Sequence, residues 1–445
     1  MIGALRRGGK HGFLAISAGI LLFAANAAAK TLDVMVGDDS LRKAVASAGS
    51  HDILKLEAGV HDGPIAIDKP LTLEGEAGAI IDGKGQGRVI EVTSPDVVIR
   101  DLAIRGSGTR LDQMDAAVFL EQSAARAIVE NNDIEGNLVG VYVHGPTDAV
   151  VKGNKIVGRT DLWQSEAGNG IYLWNAPGVQ ILNNDITGGR DGIFTNVSHN
   201  DVFHGNRLHG VRFAIHYMYT NDSEISDNVS IGNHAGFVMM YSDRLVIHGN
   251  LSVNDRDHGL LLNYANSSDI EGNAVLHGGN KCLFIYNANK NRIDRNWFEG
   301  CRIGIHFTAG SERNTFFENA FIGNETQVMY VGTRYLDWSK DGRGNYWSDD
   351  PAFDLNGDGI ADAAYRPNDV IDQVVWRYPA AKLLLNSPAT QVVRWAQSQF
   401  PSLHPGGVID SAPLMKPPEI PAAHLIQAAH DLSAQPAHSD GKASP

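Results

Sequence analysis

The sequence predicts an all-β protein, a right-handed parallel β-helix with short capping helices, and three observations predict it. First, one phrase returns along the chain. It begins at Gly140, Gly170, Gly192, Ala214, Gly236, Gly259, Cys282 and Gly304, with a spacing of roughly 22–23 residues and one longer step. A fixed period of that size is the mark of a solenoid. Second, each unit holds short alternating runs of β-branched and aromatic residues broken by Gly, Asn and Asp, which is strand and turn chemistry. Third, Asn132, Asn154, Asn184, Asn206, Asn228, Asn250, Asn273, Asn296 and Asn319 recur with the same period. Asparagines at one turn of every coil can stack into an amide ladder of the kind that accompanies in-register strands.

The elements follow in order. Arg6, Arg7 and Lys10 precede an apolar run from Phe13 to Ala25, and small residues then offer a cleavage point before Lys30. This reads as an export signal over 1–29, too short to span a bilayer. A strand is expected from Leu32. Ser40 should then cap a short helix carrying Leu41, Ala44, Val45 and Ala48 on one face, a plug for the open end of the solenoid. Strands at 53–56, 65–67, 71–73, 80–81, 89–92 and 97–99 make irregular early coils. The insertions 106–114 and 159–168 break the period and should project as loops over one face. The β-helix is expected over 30–343 and a loop-and-helix region over 344–417. There Ser387 caps a helix that Pro388 opens and Pro401 ends. The tail, 418–445, lacks any period and is expected to be disordered.

The chain has 445 residues and a formal net charge of −14, with no basic run. Nucleic acid is therefore not a partner. Cys282 and Cys301 are the only cysteines. They fall in adjoining coils at non-equivalent positions, so a disulfide and two free thiols both stay open, and two cysteines make no zinc-type thiolate site.

Alternation in the first strand of each unit sends the second and fourth residues after the start outward. They are Tyr142 and His144, Tyr172 and Trp174, Phe194 and Asn196, His216 and Met218, Val238 and Met240, Leu261 and Asn263, Phe284 and Tyr286, His306 and Thr308, and Met329 continues the row. The stripe is aromatic and apolar and has no carboxylate. It is either a partner surface, with Tyr142, Tyr172, Trp174 and Phe194 in contact, or a face that an insertion or the tail covers. His216, Met218, Met240, His306 and Met329 also have the softness that suits copper(I), held transiently; packing is their other role. Asp354, Asn356, Asp358, Gly359 and Asp362 sit at positions 1, 3, 5, 6 and 9 of a calcium-loop pattern, with Tyr365 where a bidentate Glu would stand. Calcium and a loop tied by its own Asx turns are the two readings.

A polysaccharide lyase, hydrolase or C5-epimerase shares this architecture. A hydrolase needs paired carboxylates, which the stripe lacks, and the acidic knot at Asp255, Asp257 and His258 reads as turn chemistry. The runs FAIHYMYTND at 213–222, GNYWSDDPAFDLNGDGIADAAYRP at 344–367 and GGVIDSAPLM at 406–415 point elsewhere. In them, and from the signal to about 417, the chain resembles the NosD family, periplasmic β-helical accessory proteins of nitrous-oxide reductase. The resemblance implies a non-enzymatic scaffold that works with an ABC-type ATPase and its membrane subunit. It would receive copper from a lipoprotein chaperone and assist assembly of the reductase's copper-sulfide centre. The chain has no GxxxxGK[ST] loop and would not itself hydrolyse ATP.

Overall fold

The structure, a computed structural model, describes residues 29–419 apart from 333, 369, 385, 386 and 401–405. All but the last residue of the expected leader, and all but the first two of the expected tail, lie outside the described residues. The chain winds as a parallel β-solenoid. Three sheets of 13, 12 and 13 strands run its length, and in each sheet every strand pairs with the strand one coil away. Ile181, Phe203, Ile225, Ile247 and Ile270 illustrate the interior: they pair in register and have no exposed surface. Parallel strands buried on their inner face need such a continuous apolar column.

The small residue that opens each unit has a steric reason. A Cβ on Gly140 would stand 2.4 Å from the carbonyl oxygen of Gly170, because the backbone of the next coil passes against it.

The amide ladder forms. Asn154 Oδ1 accepts from both the backbone N–H and the Nδ2 of Asn132, each at 3.0 Å. The same double bond repeats through Asn184, Asn206, Asn228, Asn250, Asn273, Asn296 and Asn319. It continues past the expected nine to Asn345 and ends on Asp410, whose Oδ2 accepts from the Asn345 backbone N–H at 2.6 Å and from its Nδ2 at 3.2 Å. Each rung is fully buried, so every bond also avoids the penalty of an unpaired polar group.

Helix α1 (Ser40–Ser47) packs Leu41 and Val45 into the core at the first coils. Ser40 is its first residue rather than its cap: the cap position is Asp39, in left-handed backbone, whose side chain makes no capping bond to the helix backbone and pairs with Arg42, and Ser40 Oγ donates to the Met35 carbonyl instead. Two strands that the sequence did not signal, Gly59–Asp62 and Ala103–Arg105, complete the early coils. At the far end, helices α2 (Val370–Arg377) and α3 (Pro388–Gln399) form an excursion, and Ser387 caps α3 as expected. The excursion closes where Tyr365 and Asp410 exchange backbone bonds of 2.9 Å, and Val408–Ile409 adds a strand to Leu336–Asp337. Cys282 and Cys301 are joined by a disulfide, which settles the open pairing.

Two carboxylates inside the coil give a pH prediction. Burial pushes Asp201 up to about 7 and Asp255 up to about 6. Both exceed the unfolded value of about 3.9. Their contribution is therefore complete below that value and is lost as pH rises through 6 and 7. The melting temperature is expected to fall between pH 5 and pH 8, and Asp201→Asn with Asp255→Asn is expected to flatten that slope. A slope unchanged in the double variant would refute the assignment.

Candidate functional site

The outward stripe lies on the 12-stranded sheet with its rows in register. Tyr142 pairs with Tyr172, Tyr172 with Phe194, Phe194 with His216, His216 with Val238, and the row runs on through Leu261, Phe284 and His306 to Met329. The parallel row carries His144, Trp174, Asn196, Met218, Met240, Asn263 and Tyr286. Rings stack up the first row: Tyr142 on Tyr172 at 4.7 Å, Tyr172 on Phe194 at 4.9 Å and Phe194 on His216 at 4.7 Å.

The two ends differ in access. Leu111 and Met114 of one insertion and Leu162 of the other pack with Phe119 and Tyr142, so both insertions fold over the early end of this face. Tyr142 is buried there and is not free to meet a partner, while Trp174 is 38 % exposed. Further along, a second row of rings opens to solvent. Tyr219 within its strand, and Tyr241 and Tyr264 just after theirs, take left-handed backbone, with centroids 5.2 and 5.1 Å apart.

The five soft residues do not make one site. Met218 and Met240 are register partners, and His216 is two residues before Met218 on the same face of one strand. His306 and Met329 are register partners four and five coils beyond His216. At about 4.8 Å per coil His216 and His306 stand roughly 19 Å apart, and Met240, the nearest of the first group, lies about 14 Å along the axis from His306; Val238, Leu261 and Phe284 separate the two histidines in the first row.

Around His216 the side chains form a closed network. Its Nδ1 lies 3.1 Å from Asp191 Oδ2. Arg212 clamps the same carboxylate, Nε to Oδ1 at 2.7 Å and Nη2 to Oδ2 at 2.6 Å. Burial pushes the Asp191 carboxyl up, but the bonds from His216 and Arg212 outweigh it and hold the carboxyl below the usual range. Phe213 meets the His216 ring edge-on at 5.1 Å, and Phe194 tilts against it. His216 is 7 % exposed, and its Nε2 is buried with no hydrogen-bond partner.

Around His306 the setting is cationic. Phe284 stacks on it at 4.8 Å, His258 meets Phe284 edge-on at 5.3 Å, and Lys281 Nζ sits 4.8 Å above the Phe284 ring. Burial, then the charges of Lys281 and His258, bring His306 down to about 4, so its imidazole is neutral at any pH above about 5. Its Nδ1 is also buried without a partner. An imidazole nitrogen buried without a partner beside a thioether has the chemistry that could suit a soft monovalent cation.

Sequence alternation missed Asp191, Phe213, His258 and Lys281. Each stands one residue before a unit's small opening residue, and the last three share one register row, with Ala235 between Phe213 and His258. A strict two-residue period points that position inward. The side chains of Asp191 and Phe213 nevertheless contact His216, and those of His258 and Lys281 contact Phe284, all on the outer face. For Asp191, His258 and Lys281 the signal available was polarity at a position where an inward residue would be apolar; Phe213 carried no such signal.

Elsewhere, Asp255 accepts from Ser230 and Ser252 at 2.6 Å each and is fully buried, which removes it from any surface chemistry. In the 354–362 loop, Asp354 accepts from the N–H groups of Gly357 and Gly359, Asn356 from Asp358, Asp358 from Ile360, and Asp362 from Leu355. Among the described residues no group of three or more His, Cys, Asp or Glu side chains is placed to hold a metal, and no helix is long and apolar enough to cross a membrane.

A family profile described as "Periplasmic copper-binding protein (NosD)" matches residues 152–351. The "Probable ABC transporter binding protein NosD" of Stutzerimonas stutzeri is 42% identical over 378 residues, covering 82% of this chain and 87% of the relative. The protein of the same description from Pseudomonas aeruginosa is 40% identical over 376 residues, covering 82% of this chain and 88% of the relative. Among solved structures, a mannuronic-acid-specific family 6 polysaccharide lyase from the human gut microbiota superposes with a TM-score of 0.50 at 12% identity, covering 68% of this chain and 82% of that one. At that identity the likeness is one of fold.

Proposed function

The chain belongs to the NosD family, and from that membership we propose that it is an exported, non-enzymatic scaffold for copper delivery to nitrous-oxide reductase. It works beside an ABC-type ATPase and its membrane subunit, takes copper(I) from a lipoprotein chaperone and assists assembly of the copper-sulfide centre. Copper(I) here is cargo rather than a resident cofactor. The observation that supports this most directly is the buried, unpartnered Nε2 of His216 on the strand that carries Met218, with Met240 on the next coil. Those three residues would hold the ion, with His306 and Met329 as a separate second place. A rigid β-helix keeps such donors fixed while partners move against it.

The C-terminal region through Pro417 is the part proposed to meet the membrane subunit. Tyr378, Leu383, Leu384 and Val392 on its helical excursion are exposed apolar side chains, as an unfilled interface requires. Trp174 is the stripe residue proposed to touch a soluble partner, and Trp174→Glu is expected to weaken that contact without unfolding the coil. Calcium is proposed to bind at Asp354, Asn356, Asp358 and Asp362, and millimolar calcium is then expected to raise the melting temperature; no shift would exclude the site.

The function is tested by the copper content of nitrous-oxide reductase from a strain lacking this gene. Loss of the copper-sulfide centre with the other copper centre retained is expected; a fully metallated reductase would overturn the reading. In the protein itself, Met218→Leu with Met240→Leu keeps the volume and removes both sulfurs. Copper(I) affinity is expected to fall at least tenfold with little change in melting temperature, measured by competition with a chromophoric chelator. Unchanged affinity would exclude the thioethers as ligands.

A further inference from the structure

The His216 network has a feature that copper handling alone does not require. A histidine presents a lone pair from one ring nitrogen only if the other carries the proton. In water the two tautomers interconvert freely, and a protein that uses one of them must fix it through the opposite nitrogen. The structure assigns that task to Asp191: we propose that it is a positioning residue, holding the proton on His216 Nδ1 so that the Nε2 lone pair is aimed, already desolvated, at copper(I). The proposal rests on the copper reading above and adds to it a residue one coil away from the site.

Three observations carry it. The Asp191 oxygen nearest Nδ1 is placed as an acceptor, because Arg212 donates to both oxygens of the same carboxyl group. Nδ1 must therefore be the donor. The carboxylate is itself nearly inaccessible, with its side chain 2 % exposed, so water cannot replace it as the partner of Nδ1. The remaining nitrogen is buried with nothing bonded to it. A buried nitrogen without a partner costs about 1–3 kcal/mol. That cost is avoidable: a polar side chain or a single water beside Nε2 would remove it in a site built only for packing, whereas the other tautomer would leave an unpaired N–H there and turn the Nδ1 lone pair on the carboxylate. Phe194 and Phe213 close the ring's face and edge and restrict its rotation. Carboxylate, imidazole and metal in that order is a recurring way of raising the basicity of a ligand nitrogen and fixing its direction.

The other soft group lacks this device. His306 has no carboxylate among its ring and charge neighbours, which are Phe284, Lys281 and His258. Loss of Asp191 should therefore affect one group and spare the other.

The test uses the full mature chain with selectively nitrogen-15-labelled histidine. In the wild type, the His216 ring is expected in the Nδ1–H tautomer, and its Nε2 resonance is expected to shift when copper(I) alone is added under reducing, anaerobic conditions. Asp191→Asn is expected to populate the opposite tautomer and to weaken copper(I) binding at this group by about 10–100-fold, while the His306 response is retained. Met218→Leu with Met240→Leu serves as the contrast: affinity falls and the tautomer does not change. The wild-type spectrum decides the matter even if Asp191→Asn does not fold. A His216 ring with the proton on Nε2, or an Nε2 that is silent while copper(I) binds elsewhere in the chain, overturns this proposal and leaves the copper reading intact. Absence of any copper(I) binding by the wild type overturns both.

Discussion

Asn228→Ala is expected to destabilise the middle of the solenoid by about 3 kcal/mol or more. Asn228 Oδ1 accepts from the backbone N–H and Nδ2 of Asn206, and its own Nδ2 donates to the Phe203 carbonyl and to Asn250. Alanine removes all four bonds at once and leaves the Asn206 N–H and the Phe203 carbonyl unpaired where water does not reach them. Each such group costs about 1–3 kcal/mol, and the small side chain adds a cavity. Because coils touch only their neighbours, the damage should stay near the cut. Hydrogen exchange of the Asn206 amide is expected to accelerate at least a hundredfold, while amides several coils away change little. A loss below about 1 kcal/mol would mean that the ladder is ornamental.

The second large effect is expected at Gly344. A Cβ there would lie 1.7 Å from Asp410 Oδ1 and 2.4 Å from its Cγ, and the carboxylate is fully buried with no room to yield. Asp410 is what the C-terminal segment brings to the end of the coil: its Oδ2 accepts from Asn345 and, at 2.8 Å, from Trp347 Nε1. Gly344→Ala should expel it and free those donors, a loss of roughly 3 kcal/mol or more. The segment after Trp347 should then become a protease target while the coils before it resist. Asp410→Ala should give the same fragment pattern from the other side of the contact. If Gly344→Ala is cleaved no faster than the wild type, the latch does not hold the end closed.

Much of this was readable before any coordinates, because a solenoid converts sequence period directly into spatial register. The repeat starts set which residues stack, so the rows from Tyr142 to Met329 and the rungs from Asn132 to Asn319 follow from spacing. The unread parts break the period. Asn345 stands 26 residues beyond Asn319, and Asp410 another 65 beyond that. No period connects them, although both lie inside the runs that resemble the family. Asp191 and Lys281 were missed because they sit where alternation reverses at the unit's opening residue. Proximity was also misread: five soft residues on one stripe are neighbours in composition, yet the coil rise parts them into two groups. The cover over Tyr142 came from Leu111, Met114 and Leu162, whose insertions carry no period to fix where they fold.

The ladder's last rung has a consequence for the molecule as a polymer of coils. An asparagine both accepts and donates, so each rung hands an open donor to whatever lies beyond it, as the active end of a growing chain does. A solenoid that stopped on Asn345 would present that open end to any other molecule with a matching coil. The oxygens of Asp410 only accept, Oδ2 from Asn345 and Trp347 and Oδ1 from the Ala412 N–H, and its side chain passes nothing on. Asp410 thus acts as a chain terminator: it consumes the last donors and offers no site for the next unit, so growth ends within one molecule instead of continuing into a fibre.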